Sequence, residues 1–165
     1  MKRLQHIVMS LAASLIITGL ASCSSDDCPI NNTVMGKMVF YDSLGDAIKF
    51  ENVSLSMLVV RPQGDSVILN RLPAASEVTF PLSYTHETDT FIFCYDFSDM
   101  MLYDTLCISH TNTPTLVSVD CGTAMFHTIT STHSTHTFID TLIIKSPEVN
   151  YDERENIQVI YRTND

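Results

Sequence analysis

The period of the apolar residues is what most limits the fold of this chain. Past residue 33, no apolar stripe at i, i+3, i+4 and i+7 persists for three turns, so an amphipathic helix of ordinary length is not expected there. Short runs rich in Val, Ile, Thr, Phe and Tyr recur instead, and these residue types suit a pleated, half-buried surface. Residues 34–41 read as a strand and 42–46 as a turn. Residues 47–60 read as one long strand or two with a bulge, alternating around Val53, Leu55, Met57 and Val59. A second turn at 61–65 leads into a short strand, 66–69. Residues 77–84 contain Pro81, which fits an edge or broken strand. Residues 90–95 are continuously apolar and predict a buried strand, followed by another at 102–109. Residues 112–114 read as a break, and 115–119, 125–130, 138–145 and 156–161 as the remaining strands. The expectation is an all-β fold, an immunoglobulin-like antiparallel β-sandwich of about seven to nine strands, formed by residues 34–165 as a single domain. No repeat of solenoid or propeller period is present.

The N-terminus has a different character. Met1-Lys2-Arg3 is basic, and residues 7–20 are apolar except for Ser10, Ser14 and Thr18. That run is shorter than the roughly 20 residues of a membrane span and fits the apolar region of a secretory signal. It closes on Leu20-Ala21-Ser22-Cys23, which resembles the lipobox of bacterial lipoproteins. The resemblance implies cleavage between Ser22 and Cys23, removal of residues 1–22 and lipidation of Cys23. Residues 23–33 then form a lipidated start and a polar tether. Several acyl chains on one cysteine anchor stably, whereas one alone holds marginally. Ser24-Ser25-Asp26-Asp27 resembles the acidic export tag that carries Bacteroidota lipoproteins to the cell surface. The resemblance implies the outer membrane, with surface display expected and its periplasmic face the alternative.

Residues 1–22 hold two of the nine basic residues and none of the 19 acidic ones, so the remainder has a net charge near −12 with His neutral. Such a surface repels nucleic acid and anionic headgroups. Few glycines argue against phosphate-cradling loops, and the absence of Trp weakens a carbohydrate platform. Of five cysteines, four remain beside Cys23: Cys28, Cys94, Cys107 and Cys121. An even number in an exported chain suggests disulfides. Cys28 and Cys121 lie in turn-like sequence and are the expected pair. Cys94 and Cys107 fall on neighbouring expected strands, either bridged or left as buried thiols.

No catalytic motif is present: no Gly-x-Ser-x-Gly elbow, His-Glu-x-x-His, Cys-x-x-Cys or P-loop. His127, His133 and His136 lie within ten positions and are the candidate ligands for Zn²⁺ or Cu²⁺. Residues 131–137 are Ser/Thr-rich, however, and read as a solvated loop or exposed hairpin. Glu148, Asp152, Glu153 and Glu155 could gather oxygens for Ca²⁺, but the Asp-rich loop with its distant Glu is missing, so the cluster reads as a solvated turn. Asp-Ser/Thr-apolar triplets at Ser43, Ser66, Thr105 and Thr141 resemble the O-glycosylation site of Bacteroides exported proteins. Each also fits an Asp ending a turn before a strand.

Cys28-Pro29, Phe40-Tyr41-Asp42-Ser43, Leu69-Asn70-Arg71, Pro81-Leu82-Ser83-Tyr84, Met125-Phe126-His127, the 133–137 stretch, Ile139-Asp140 and Val149-Asn150-Tyr151-Asp152-Glu153 occur in this order. Together they resemble a family of uncharacterised Bacteroidota lipoproteins, a domain of unknown function. The resemblance spans nearly all of the chain after Cys23. It implies lipidation and an envelope location, and it carries no activity, cofactor or catalytic residue. The expectation is a non-enzymatic binding or structural module, held to a membrane by its lipid and engaging a protein partner in the envelope. A metal-binding lipoprotein and a hydrolase with an unrecognised site are the alternatives.

Overall fold

Alternation sorts the strands into an inward and an outward face. In β1 (Met35–Tyr41) Gly36, Met38 and Phe40 are buried, and in β2 (Ser54–Val60) Leu55, Met57 and Val59 are. The computed structural model describes Cys28 and residues 33–162. The further strands are β3 (Ser66–Pro73), β4 (Glu77–Pro81), β5 (Thr88–Phe97), β6 (Met100–Ser118), β7 (Gly122–Ser134), β8 (Ile139–Ile144), β9 (Glu148–Val149) and β10 (Ile157–Tyr161). One sheet has the order β4-β1-β10-β8 and the other β3-β2-β5-β6-β7-β9. They form the expected sandwich, with ten strands rather than seven to nine. Every pairing between named strands is antiparallel except β1 with β10, which is parallel from Met38↔Ile157 to Tyr41↔Ile160. The described residues contain no helix, and so none long and apolar enough to cross a membrane.

An aromatic group fills one end of the core. Phe50 meets Tyr161 edge-on at 4.9 Å, and Tyr161 also packs against Phe40, Tyr95 and Phe138. Edge-to-face contacts add about 0.5–1.5 kcal/mol each beyond the area they bury. The buried hydroxyls of Tyr95 and Tyr161 satisfy each other at 3.1 Å. Burial raises both phenol pKa values, which keeps the pair neutral. On β1, Phe80 of β4 lies over its cross-strand partner Gly36, where a Cβ would stand 2.4 Å from the ring.

Several elements differ from the sequence reading. Residues 48–53 are not strand: Ala47 makes a lone bridge to Tyr41, and the chain then buries Phe50 and Val53 on its way to β2. β3 runs on to Pro73, with two register irregularities. β6 continues through 112–114, read above as a break. Ser131–Ser134 belong to β7, not a loop, and pair with Leu106–Ser109 of β6. β9 has only two residues, too few to show a period.

Candidate functional site

The chain changes sheets repeatedly, and buried polar residues hold those crossings. Asp104 on β6 has the same strand parity as Leu106 and Ile108, so its carboxylate points into the core and is fully buried. It receives four hydrogen bonds from the β7–β8 crossing. Thr135 Oγ1 (2.8 Å) and Thr137 N–H (2.7 Å) donate to Oδ1; Phe138 N–H (2.8 Å) and Ile139 N–H (3.0 Å) donate to Oδ2. Asn156 serves the crossing from β9 to β10. Its Oδ1 accepts from Lys37 N–H, and its Nδ2 donates to Ser146 O and Glu148 O.

Asp89 on β5 holds the β4–β5 crossing and is the centre of the largest polar network. Oδ1 pairs with Arg61, and Oδ2 accepts from Ser83 N–H at 2.7 Å. Oδ2 also lies 3.0 Å from His110 Nε2. Both side chains, Asp89 and His110, have 0% exposure. His110 Nδ1 faces Asn112 Oδ1 at 3.0 Å, and His127 Nδ1 reaches the same oxygen at 2.7 Å. Asn112 is oriented by donating to His86 O. The His127 ring stacks on Tyr84 and meets His110 edge-on, while its Nε2 is buried without a hydrogen-bond partner. Burial, helped by the His110 ring, pushes the His127 pKa down to about 4, against a smaller upward pull from Asp89.

An Asp–His contact is a motif of acid–base catalysis, but this one is sealed from solvent. Ser83 Oγ lies 3.0 Å from His86 Nδ1 nearby. Yet Ser83 Oγ also caps its own turn, accepting from Thr85 N–H and His86 N–H, and Asp89 reaches the Ser83 backbone rather than His86. Nucleophile, base and carboxylate therefore do not stand in the order a triad requires. A shallow cleft of about 360 Å³ opens elsewhere, over β1 and β4, lined by Lys37, Glu77, Asn150, Tyr151 and Glu153 among others. Lys37 and Glu77 form an ion pair of 3.2 Å there.

Residues 54–161 match DUF6452, a family of unknown function. The chain belongs to this family. The matched span opens on the first residue of β2 and closes on the last of β10. It includes Asp89, Asp104, His110, His127 and Asn156, and leaves out β1 and Cys28. No curated protein matches the chain, and no solved structure does.

Within the DUF6452 span, the three histidines do not converge. His127 points into the core, whereas His133 and His136 are exposed and sit 6.0 Å apart by ring centres. Residues 127 and 133 would share a face of a regular strand. A bulge breaks the parity: Ile129 pairs with His110 and Ser131 with Ser109, so Thr130 is an extra residue. Among the described residues, no three His, Cys, Asp or Glu side chains gather as a metal site. The acidic tail is dispersed too. Asp152 pairs with Arg154, Glu155 accepts from Tyr41 OH, and Glu148 and Glu153 are exposed.

Cys28 and Cys121 form a disulfide, with Cα atoms 5.3 Å apart. Cys94 and Cys107 do not pair. They lie on adjacent strands, but Cys94 stands opposite Tyr103 and Cys107 opposite Thr90, too far out of register for a bridge. Ser43, Ser66 and Thr141 are exposed. Thr105 is half-buried on β6, flanked by β5 and β7, so it is not the accessible turn residue its triplet suggested. Residues 1–22, Ser22, Cys23 and the 24–27 tag lie outside the described residues. The buried aspartates were missed by motif reading, although a signal existed: each occupies an apolar parity, Asp104 with Leu106 and Ile108, Asp89 with Phe91 and Phe93.

Proposed function

We propose that this is a lipid-anchored protein of the outer membrane whose β-sandwich binds or supports a protein partner and catalyses no reaction. The observation that carries this reading is the enclosure of the Asp89–His110 pair. It is the best acid–base arrangement in the described residues, and its 0% exposure leaves no path for a substrate. Asp104 is likewise occupied by four internal donors. These groups are spent on holding crossings between sheets. The cleft beside Lys37 and Glu77, lined by both apolar and charged side chains, suits a protein segment better than a deeply enclosed small molecule. The Leu20-Ala21-Ser22-Cys23 sequence supports lipidation, and Ser24-Ser25-Asp26-Asp27 supports surface display.

Two measurements test the reading. Intact cells are shaved with protease beside a periplasmic control protein. Surface display requires cleavage while the control survives; protection places the domain on the periplasmic face. In parallel, the purified protein is offered to ester, peptide and glycoside substrates and to a serine-reactive phosphonate probe. No turnover and no labelling at Ser83 are expected. Turnover abolished by Ser83→Ala or His86→Ala would overturn the non-enzymatic reading.

A further inference from the structure

We infer that the tip of the β6–β7 hairpin is the membrane-facing pole of this protein, and that Val119 and Leu116 contact the lipid surface there. The inference rests on the lipid anchor at Cys23. The described residues supply the rest. Cys28 is fixed by its disulfide to Cys121, at the tip of the hairpin. Cys28 lies only five positions after Cys23, and five extended residues span at most about 18 Å. The tip is therefore tethered within that distance of the anchoring cysteine.

The start of β1 lies towards the same pole: Met35 pairs with Pro81, three residues before Tyr84, which stacks on His127 of β7, whereas Tyr41 pairs with Ile160 at the opposite end of the sheet. The hairpin also runs on past the end of β5, with Ala124 buried and Val117 and Phe126 packed against the core before its tip. β5 pairs with β6 only as far as Thr88↔Ser109, and β6 runs on to Ser118 with β7 alone among named strands beside it. At about 3.3 Å per residue, the part past Ser109 extends roughly 30 Å. At its end Val119 is 92% exposed and Leu116 67% exposed. Apolar residues so open at a tethered tip suit the headgroup boundary, where apolar faces sink about 5–10 Å. Asp120, exposed beside Val119, limits the depth to that boundary.

The chain contains no Trp, so a single introduced Trp reports its own position. Leu44, 85% exposed in the turn after Tyr41, marks the opposite pole. Full-length lipidated protein carrying Val119→Trp or Leu44→Trp is placed in phosphatidylethanolamine/phosphatidylglycerol vesicles. The lipids bear bromine near the top of the acyl chains. At the boundary depth, contact quenching should remove on the order of half of the Val119→Trp emission, and leave Leu44→Trp unchanged. Equal quenching of both positions, or of neither, overturns the pole assignment. Flotation with the vesicles separates the two ideas. If the protein floats and Cys23→Ser does not, yet Val119→Trp is unquenched, the anchor stands and the tip contact falls. If the native protein fails to float, the anchor reading falls and the pole assignment falls with it.

Discussion

Asp104→Asn changes one oxygen to a nitrogen and tests what the carboxylate does. Asp104 accepts four hydrogen bonds, two on each oxygen. An asparagine can accept on one side only, so its NH₂ would face two of the present donors, at least one of them a backbone N–H. The substitution should cost about 3 kcal/mol, read as a lower urea midpoint at constant slope. His127 supplies a pH dependence. It is faced by His110, Tyr84 and Asn112, with Asp89 behind His110. Its pKa in the folded protein is about 4, against the ordinary 6.5 of an unfolded histidine. As pH falls below 6.5 the unfolded chain takes up the proton first. The stability that neutral His127 contributes above pH 6.5 is therefore lost between about 6.5 and 4, by about 3 kcal/mol at most. A series of urea melts should show that slope in the native protein and a flatter one in His127→Gln. Both groups sit where strand parity calls for an apolar residue. Parity was readable in the sequence; which donors would meet Asp104 depended on residues some 30 positions away.

For the elements, local pattern and long-range pairing contributed unequally. β1, β2 and the edge position of Pro81 followed from alternation and from proline's missing N–H. The continuation of β6 through Pro114 was hidden because it depends on β5 ending at Thr88. Beyond that point β6 lacks β5 on one side, an edge-like setting that tolerates proline. The separation of the histidines was hidden for a related reason. One bulged residue, Thr130, reverses which face His133 takes, and nothing local marks it. The β1–β4 edge offers a direct test of packing. Gly36→Ala would bring a Cβ to 2.4 Å from Phe80, inside any allowed contact. It should destabilise by about 1–3 kcal/mol, and Phe80→Leu in the same chain should recover part of the loss in thermal melts.

For the whole molecule, the Cys28–Cys121 bond closes a sequence separation of 93 residues. A loop of that length corresponds to about 4–5 kcal/mol in the chain-entropy view. Cys28→Ser should therefore lower the stability of the oxidised protein by a few kcal/mol in a denaturant titration. Addition of reductant should bring the native protein towards the same midpoint. The bond also ties Cys28, which lies outside the span shared with DUF6452 relatives, to a residue inside it.

The parallel seam between the first and last strands sets an order on assembly. Among the described residues, β10 is the only link between the β4-β1 pair and β8 in the smaller sheet. A chain emerging N-terminus first must hold β1 with one unpaired edge until residues 157–161 appear. Every intermediate before that moment carries an open template for strand addition. A chain cut before Ile157 would thus leave the β4-β1 pair and β8 unjoined rather than give a slightly shortened protein.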